Sequence, residues 1–93
     1  MSLTPAEIER LAILAEECGE VIQVVGKILR HGFISKFQGT AYDNRLLLET
    51  EIGHVNNIIN WMIEYHDVDP FTIAESCLIK SKEIKKYIHH DRD

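Results

Sequence analysis

The segment Thr4-Pro5-Ala6-Glu7 carries a complete helix-start signal: a capping threonine, proline in the first helical position and glutamate three residues after the cap. Apolar residues then recur at helical spacing (Ile8, Leu11, Ala15, Ile22 and Val25) to about Leu29, where Gly32 supplies a stop. Asp69-Pro70 repeats the cap-then-proline pattern. It opens a further helical run through Phe71, Ile73, Ala74, Cys77, Leu78, Ile84 and Ile88, to near His90. Between the two, a helix is expected from Asp43 or Asn44 to Tyr65. Residues 33–42 lack periodicity, contain Gly39, and read as a loop with exposed Phe33, Phe37 and Tyr42. No stretch alternates as a strand does, and no internal repeat is visible. These signals predict an all-α fold: residues 1–93 as a single domain built from a bundle of about three helices.

Ninety-three residues with 45% hydrophobic content should fold, yet a core this small is marginal alone, so completion of the bundle by oligomerisation is expected. A formal charge of −5 argues against a partner with a nucleic-acid backbone, which would select a basic face. No apolar run approaches the roughly 20 residues needed to span a bilayer, and no signal-peptide pattern is present. Cys18 and Cys77 both fall within helical patterns and read as buried thiols of a reducing cytoplasm rather than a disulfide.

The acids are the chemically informative residues. At about 100° per residue, Glu9, Glu16, Glu20, Gln23 and Lys27 share one polar arc of the first helix. Alone, Glu16 and Glu20 would read as a solvated face with an i,i+4 repulsion of about 0.2–0.5 kcal/mol. Glu17 does not fit that face. It lies between Ile13 and Val24 on one side and Val21 and Ile28 on the other. On the second helix, Glu49, Asn56, Asn57 and Asn60 make a polar face, and Leu48, Ile52, Val55, Ile58, Ile59 and Met62 an apolar one. Glu51 falls inside the apolar sector, and His54 sits at its edge beside Leu47 and Trp61. A carboxylate near a core needs a cationic partner, and neither helix supplies enough lysine or arginine. If the helices pack antiparallel, the glutamates face Glu51 and His54, and either a divalent cation joins them or some carboxyls stay protonated. Oxygen donors favour Mg²⁺ or Mn²⁺, and the imidazole moves the preference toward Mn²⁺, Fe²⁺ or Zn²⁺.

Glu16-Glu17-Cys18-Gly19-Glu20 resembles the EExxE motif of the MazG-like all-α nucleoside triphosphate pyrophosphohydrolases. The run from Leu11 to Gly32 is similar to phage and bacterial members, and Asn44 to Val55 resembles the family's second-helix motif, which contains an ExxD pair. The tail Lys80 to Ile88 resembles its lysine-rich last helix. The resemblance implies hydrolysis of a nucleotide triphosphate between the α- and β-phosphates, with Mg²⁺ (or Mn²⁺) as cofactor. It implies that Glu16, Glu17, Glu20 and Glu51 bind the metal or orient the attacking water, and that Lys80 and Lys82, with Lys86, neutralise phosphate. It also implies a homodimer or homotetramer with sites between subunits. One position departs: His54 stands where the family has aspartate. An imidazole offers one nitrogen in place of two oxygens and removes a charge, leaving a weak enzyme, a changed metal, or a silent nucleotide-binding member as outcomes.

Two other readings stand beside this one. Glu51-x-x-His54 with glutamates on a facing helix is also the ligand pattern of di-iron carboxylate bundles, a homodimer supplying the second copy. A non-catalytic helical interaction module would instead leave its glutamates in solvent. Phe33, Phe37, Tyr42 and Trp61 are candidates for stacking on a base, against the commoner role of core packing.

Overall fold

A computed structural model describes residues 2–36 and 39–90; Phe37, one of the candidate stacking aromatics, lies outside them. Three α-helices, α1 (Pro5–His31), α2 (Asn44–Glu64) and α3 (Pro70–Glu83), are followed by a single 3₁₀ turn at Ile84–Lys86. The fold is all-α, as expected. The last helix stops earlier than its periodicity suggests, because the chain tightens at Ile84 and ends its helical course at Tyr87. Among the described residues no helix is long and apolar enough to cross a membrane.

Each start signal is realised in atoms. The Thr4 hydroxyl accepts from the Glu7 amide at 3.1 Å while the Glu7 carboxylate accepts from the Thr4 amide at 2.7 Å, closing the capping box. Asp43 and Asp69 cap α2 and α3 by accepting from the amides of Leu46 and Phe71. Gly32 follows α1 at φ 86°, and its amide donates to the Ile28 carbonyl at 2.7 Å. That φ lies where an L side chain is strained, so glycine is the residue that lets the chain leave here.

Tethers at both ends hold α1 and α2 antiparallel. Near the loop, the buried Asn44 side chain donates to the Gly32 carbonyl at 3.1 Å, and the amides of Asn44 and Arg45 donate to Ser35 and Phe33. Arg45 also covers the Phe33 ring, 4.6 Å from its centroid. In the middle, His54 of α2 faces Glu17 of α1. At the far end, Arg10 grips Asp67 through Nε at 2.5 Å and Nη2 at 3.0 Å, and lies over the Tyr65 ring. Asp67 reaches back because α2 ends in a Schellman turn. His66 takes φ 63°, its amide donates to Ile63, and the Asp67 amide donates to Met62.

The seam between α1 and α2 holds the core, and it is thin. Among the described residues only Val24, Ile58 and Met62 are buried hydrophobics, Ile58 at 1% exposure. α3 packs against neither of the other helices over any extended surface; all of its residues are exposed, Phe71 at 82%. The radius of gyration is 16.4 Å, against about 13 Å for a compact domain of this size. Cys18 and Cys77, expected as buried thiols, are both exposed. Cys18 borders an apolar face with Val21, Ile22, Ile52 and Val55, and Cys77 lies on the uncovered α3. The periodicity reports an apolar stripe correctly in both places, but none of the described residues covers it.

Candidate metal centre

The helical register explains why carboxylates sit inside this seam. Glu17 is two turns before Val24 on α1, and Glu51 is two turns before Ile58 on α2. Seven residues return a helix to nearly the same face, so both glutamates occupy the line that elsewhere carries the core. Their side chains are accordingly only 20% and 18% exposed. His54, one turn after Glu51, lies at the edge of the seam with half of its side chain exposed.

Glu17, Glu20, Glu51 and His54 each present a ligand atom, and these four atoms lie within 4.8 Å of one another. His54 Nδ1 is 3.3 Å from Glu17 Oε2 and 3.4 Å from Glu51 Oε2. Both carboxylate oxygens are shut off from solvent without a hydrogen-bond partner. One Nδ1 carries at most one proton and cannot serve both of them. The Glu51 carboxyl is held above its ordinary range, first by a hydrogen bond with the Glu20 carboxyl, then by burial and by Glu20's charge. His54 acts in the opposite sense on it.

The donor set fits a divalent ion. Three carboxylates and one imidazole suit Mn²⁺, Fe²⁺ or Zn²⁺ as well as Mg²⁺, and the two orphaned oxygens already point at a common neighbour. Of the residues singled out from sequence, Glu17, Glu20, Glu51 and His54 are brought together. Glu16 is exposed and outside the group, on the arc one turn before Glu20. Lys80 and Lys82 lie exposed in the last turn of α3, away from the α1–α2 seam. Arg10 and Asp67 were not foreseen at all. They are 57 positions apart, and Asp67 belongs to a turn whose geometry rests on a histidine, not glycine, at positive φ.

Comparison with family models, with curated proteins and with solved structures finds no match.

Proposed function

We propose that the chain is a divalent-metal-dependent nucleotide pyrophosphohydrolase, converting a (d)NTP to the (d)NMP and pyrophosphate. The observation that carries the metal centre is the convergence of Glu17, Glu20, Glu51 and His54 on one point, with two buried carboxylate oxygens left unpartnered. The choice of reaction rests on the resemblance of the α1 and α2 motifs to the MazG-like enzymes. When bound, a divalent cation there opposes the phosphate charge and lowers the pKa of water. Glu17, Glu20, Glu51 and His54 would hold it, carried to one place by the antiparallel α1 and α2. Glu16, exposed and outside this set, takes in this reading the role of orienting the attacking water and accepting its proton. His54 in place of a carboxylate moves the preferred ion from Mg²⁺ toward Mn²⁺.

The working form is a homo-oligomer. Ile22 and Leu29 on α1 and the apolar face of α3 are too exposed for a stable monomer, and a second copy covers such faces at no cost in new sequence. Oligomerisation also offers the route by which Lys80 and Lys82 of one chain approach the phosphates held by another. A cytoplasmic location accords with a nucleotide substrate.

The test is pyrophosphate release from a panel of (d)NTPs with Mg²⁺ or Mn²⁺. Turnover that collapses in Glu17→Gln and Glu51→Gln supports the proposal; absence of turnover with both metals refutes it. The presence of His54 in the cluster favours one other reading, a di-iron-type carboxylate bundle. Stoichiometric iron with an oxo-bridge absorption band in the purified protein would select that reading.

A further inference from the structure

A second feature lies on the same side of the α1–α2 pair. An open cleft of about 460 Å³ is lined by Glu9, Arg10, Ile13, Trp61, Glu64 and Tyr65, with Ala6 at its end. Ile13 is one turn from Glu17, and Trp61 is seven residues from His54 on nearly the same face of α2. At 1.5 Å per residue the cleft therefore begins about 6 Å from Glu17 along α1 and about 10 Å from His54 along α2. That is a span comparable to the reach from a nucleotide's phosphates across its sugar to its base.

The cleft's chemistry suits a base and not a phosphate. Trp61 is 46% exposed and Tyr65 59%, so large aromatic surfaces face the opening. The one cation in the lining is already engaged: Arg10 makes two hydrogen bonds to Asp67 and covers Tyr65. Glu9 and Glu64 add negative charge, which repels phosphate, and ionised carboxylates only accept hydrogen bonds. Exocyclic amino groups of cytosine, adenine and guanine donate such bonds, and carboxylates accept from cytosine in this way. Uracil and thymine present carbonyl oxygens at the corresponding edge.

We propose that this cleft is the nucleobase subsite of the metal centre, with Trp61 stacking on the base and Glu9 and Glu64 selecting bases that carry an exocyclic amino group. The inference rests on the proposed nucleotide function, and the Arg10–Asp67 clamp fixes the cleft's wall by holding the end of α2 against α1.

Trp61 is the single tryptophan of the chain, so its fluorescence reads the subsite directly. The experiment titrates the protein, in Mn²⁺, with inorganic tripolyphosphate and with α,β-imido analogues of dGTP, dCTP and dUTP, following fluorescence and calorimetric affinity. The dGTP and dCTP analogues should quench Trp61 and bind roughly tenfold tighter than tripolyphosphate, the scale of one aromatic stack. The dUTP analogue should fall below both. Trp61→Leu should abolish the increment while keeping tripolyphosphate binding, Trp61→Phe should restore most of it, and Glu9→Gln with Glu64→Gln should narrow the gap to dUTP. If tripolyphosphate binds and the nucleotides bind no tighter, or if they bind tighter without quenching Trp61, the base subsite is refuted and the metal–phosphate reading survives. If tripolyphosphate itself does not bind, both fall together.

Discussion

Replacing Glu51 with glutamine should make the protein more stable without metal and less stable with it. In the metal-free chain Glu51 is crowded by Glu20 and partly buried, and its pKa is raised from 4.5. A carboxyl whose folded pKa exceeds its unfolded value favours folding below the unfolded value. That contribution is lost as pH rises through the folded pKa, because the fold then holds a charge it disfavours. In EDTA, wild-type stability should thus decline from about pH 4.5 upward, and Glu51→Gln should flatten this limb and melt at or above the wild-type temperature at pH 7. With Mn²⁺ the order reverses. At an ion concentration 100 times the Kd, binding stabilises the fold by about 2.7 kcal/mol. For a 93-residue chain that is roughly 10–20 °C in Tm. Loss of a residue that merely supports a metal ligand costs about 10–100-fold in affinity, and loss of the ligand itself should cost no less. A 100-fold loss leaves the variant near its Kd, with about 0.4 kcal/mol of stabilisation, a shift of only about 2–3 °C. Melting curves by circular dichroism in EDTA and in Mn²⁺ read both limbs. Equal metal-induced shifts in the two proteins would show that Glu51 is not a metal ligand, and a variant already less stable in EDTA would show that its charge is not disfavoured by the fold.

Three further outcomes follow from the same structure. Ile58→Ala removes the most deeply buried side chain of the seam and should cost about 2–5 kcal/mol, read as a lowered urea midpoint with an unchanged slope. Asp67 is held below its ordinary 3.8 by the hydrogen bonds from Arg10, so its contribution is present above that value and lost as pH falls through the folded pKa. Asp67→Asn should therefore destabilise the protein at pH 7 and converge with wild type at the acid end of a pH–melting series. Ile22→Glu, at a side chain 71% exposed in the single chain, should leave helicity intact yet shift the species seen by light scattering to the monomer. Unchanged mass would show that this face is not an interface.

The helices were legible because their signals are local. Thr4 with Glu7, and Asp69 with Pro70, each specify a start within four residues, and Gly32 specifies a stop by the φ it adopts. The candidate centre was legible for a related reason. Glu17 and Glu51 interrupt apolar stripes, and a stripe that lines a helix seam carries whatever interrupts it into that seam. What depends on distant partners was not legible. Periodicity gives α3 and Cys77 an apolar face without showing that none of the described residues covers it. It placed Glu16 and Glu20 on one arc, yet the α2 residues opposite draw in Glu20 alone. The Arg10–Asp67 clamp depends on a Schellman turn with His66 in the position where glycine is the usual marker.

Binding of a nucleotide's phosphates through a divalent ion at Glu17, Glu20, Glu51 and His54 is the proposal on which the rest depends. Its most direct test is a crystal structure with Mn²⁺ and an α,β-imido dNTP, measured at the manganese absorption edge. An anomalous peak should appear within bonding distance of Glu17 Oε2, Glu51 Oε2 and His54, with phosphate oxygens on its open side. A complex in which these two oxygens still face only His54, with no anomalous density between the helices, would contradict it.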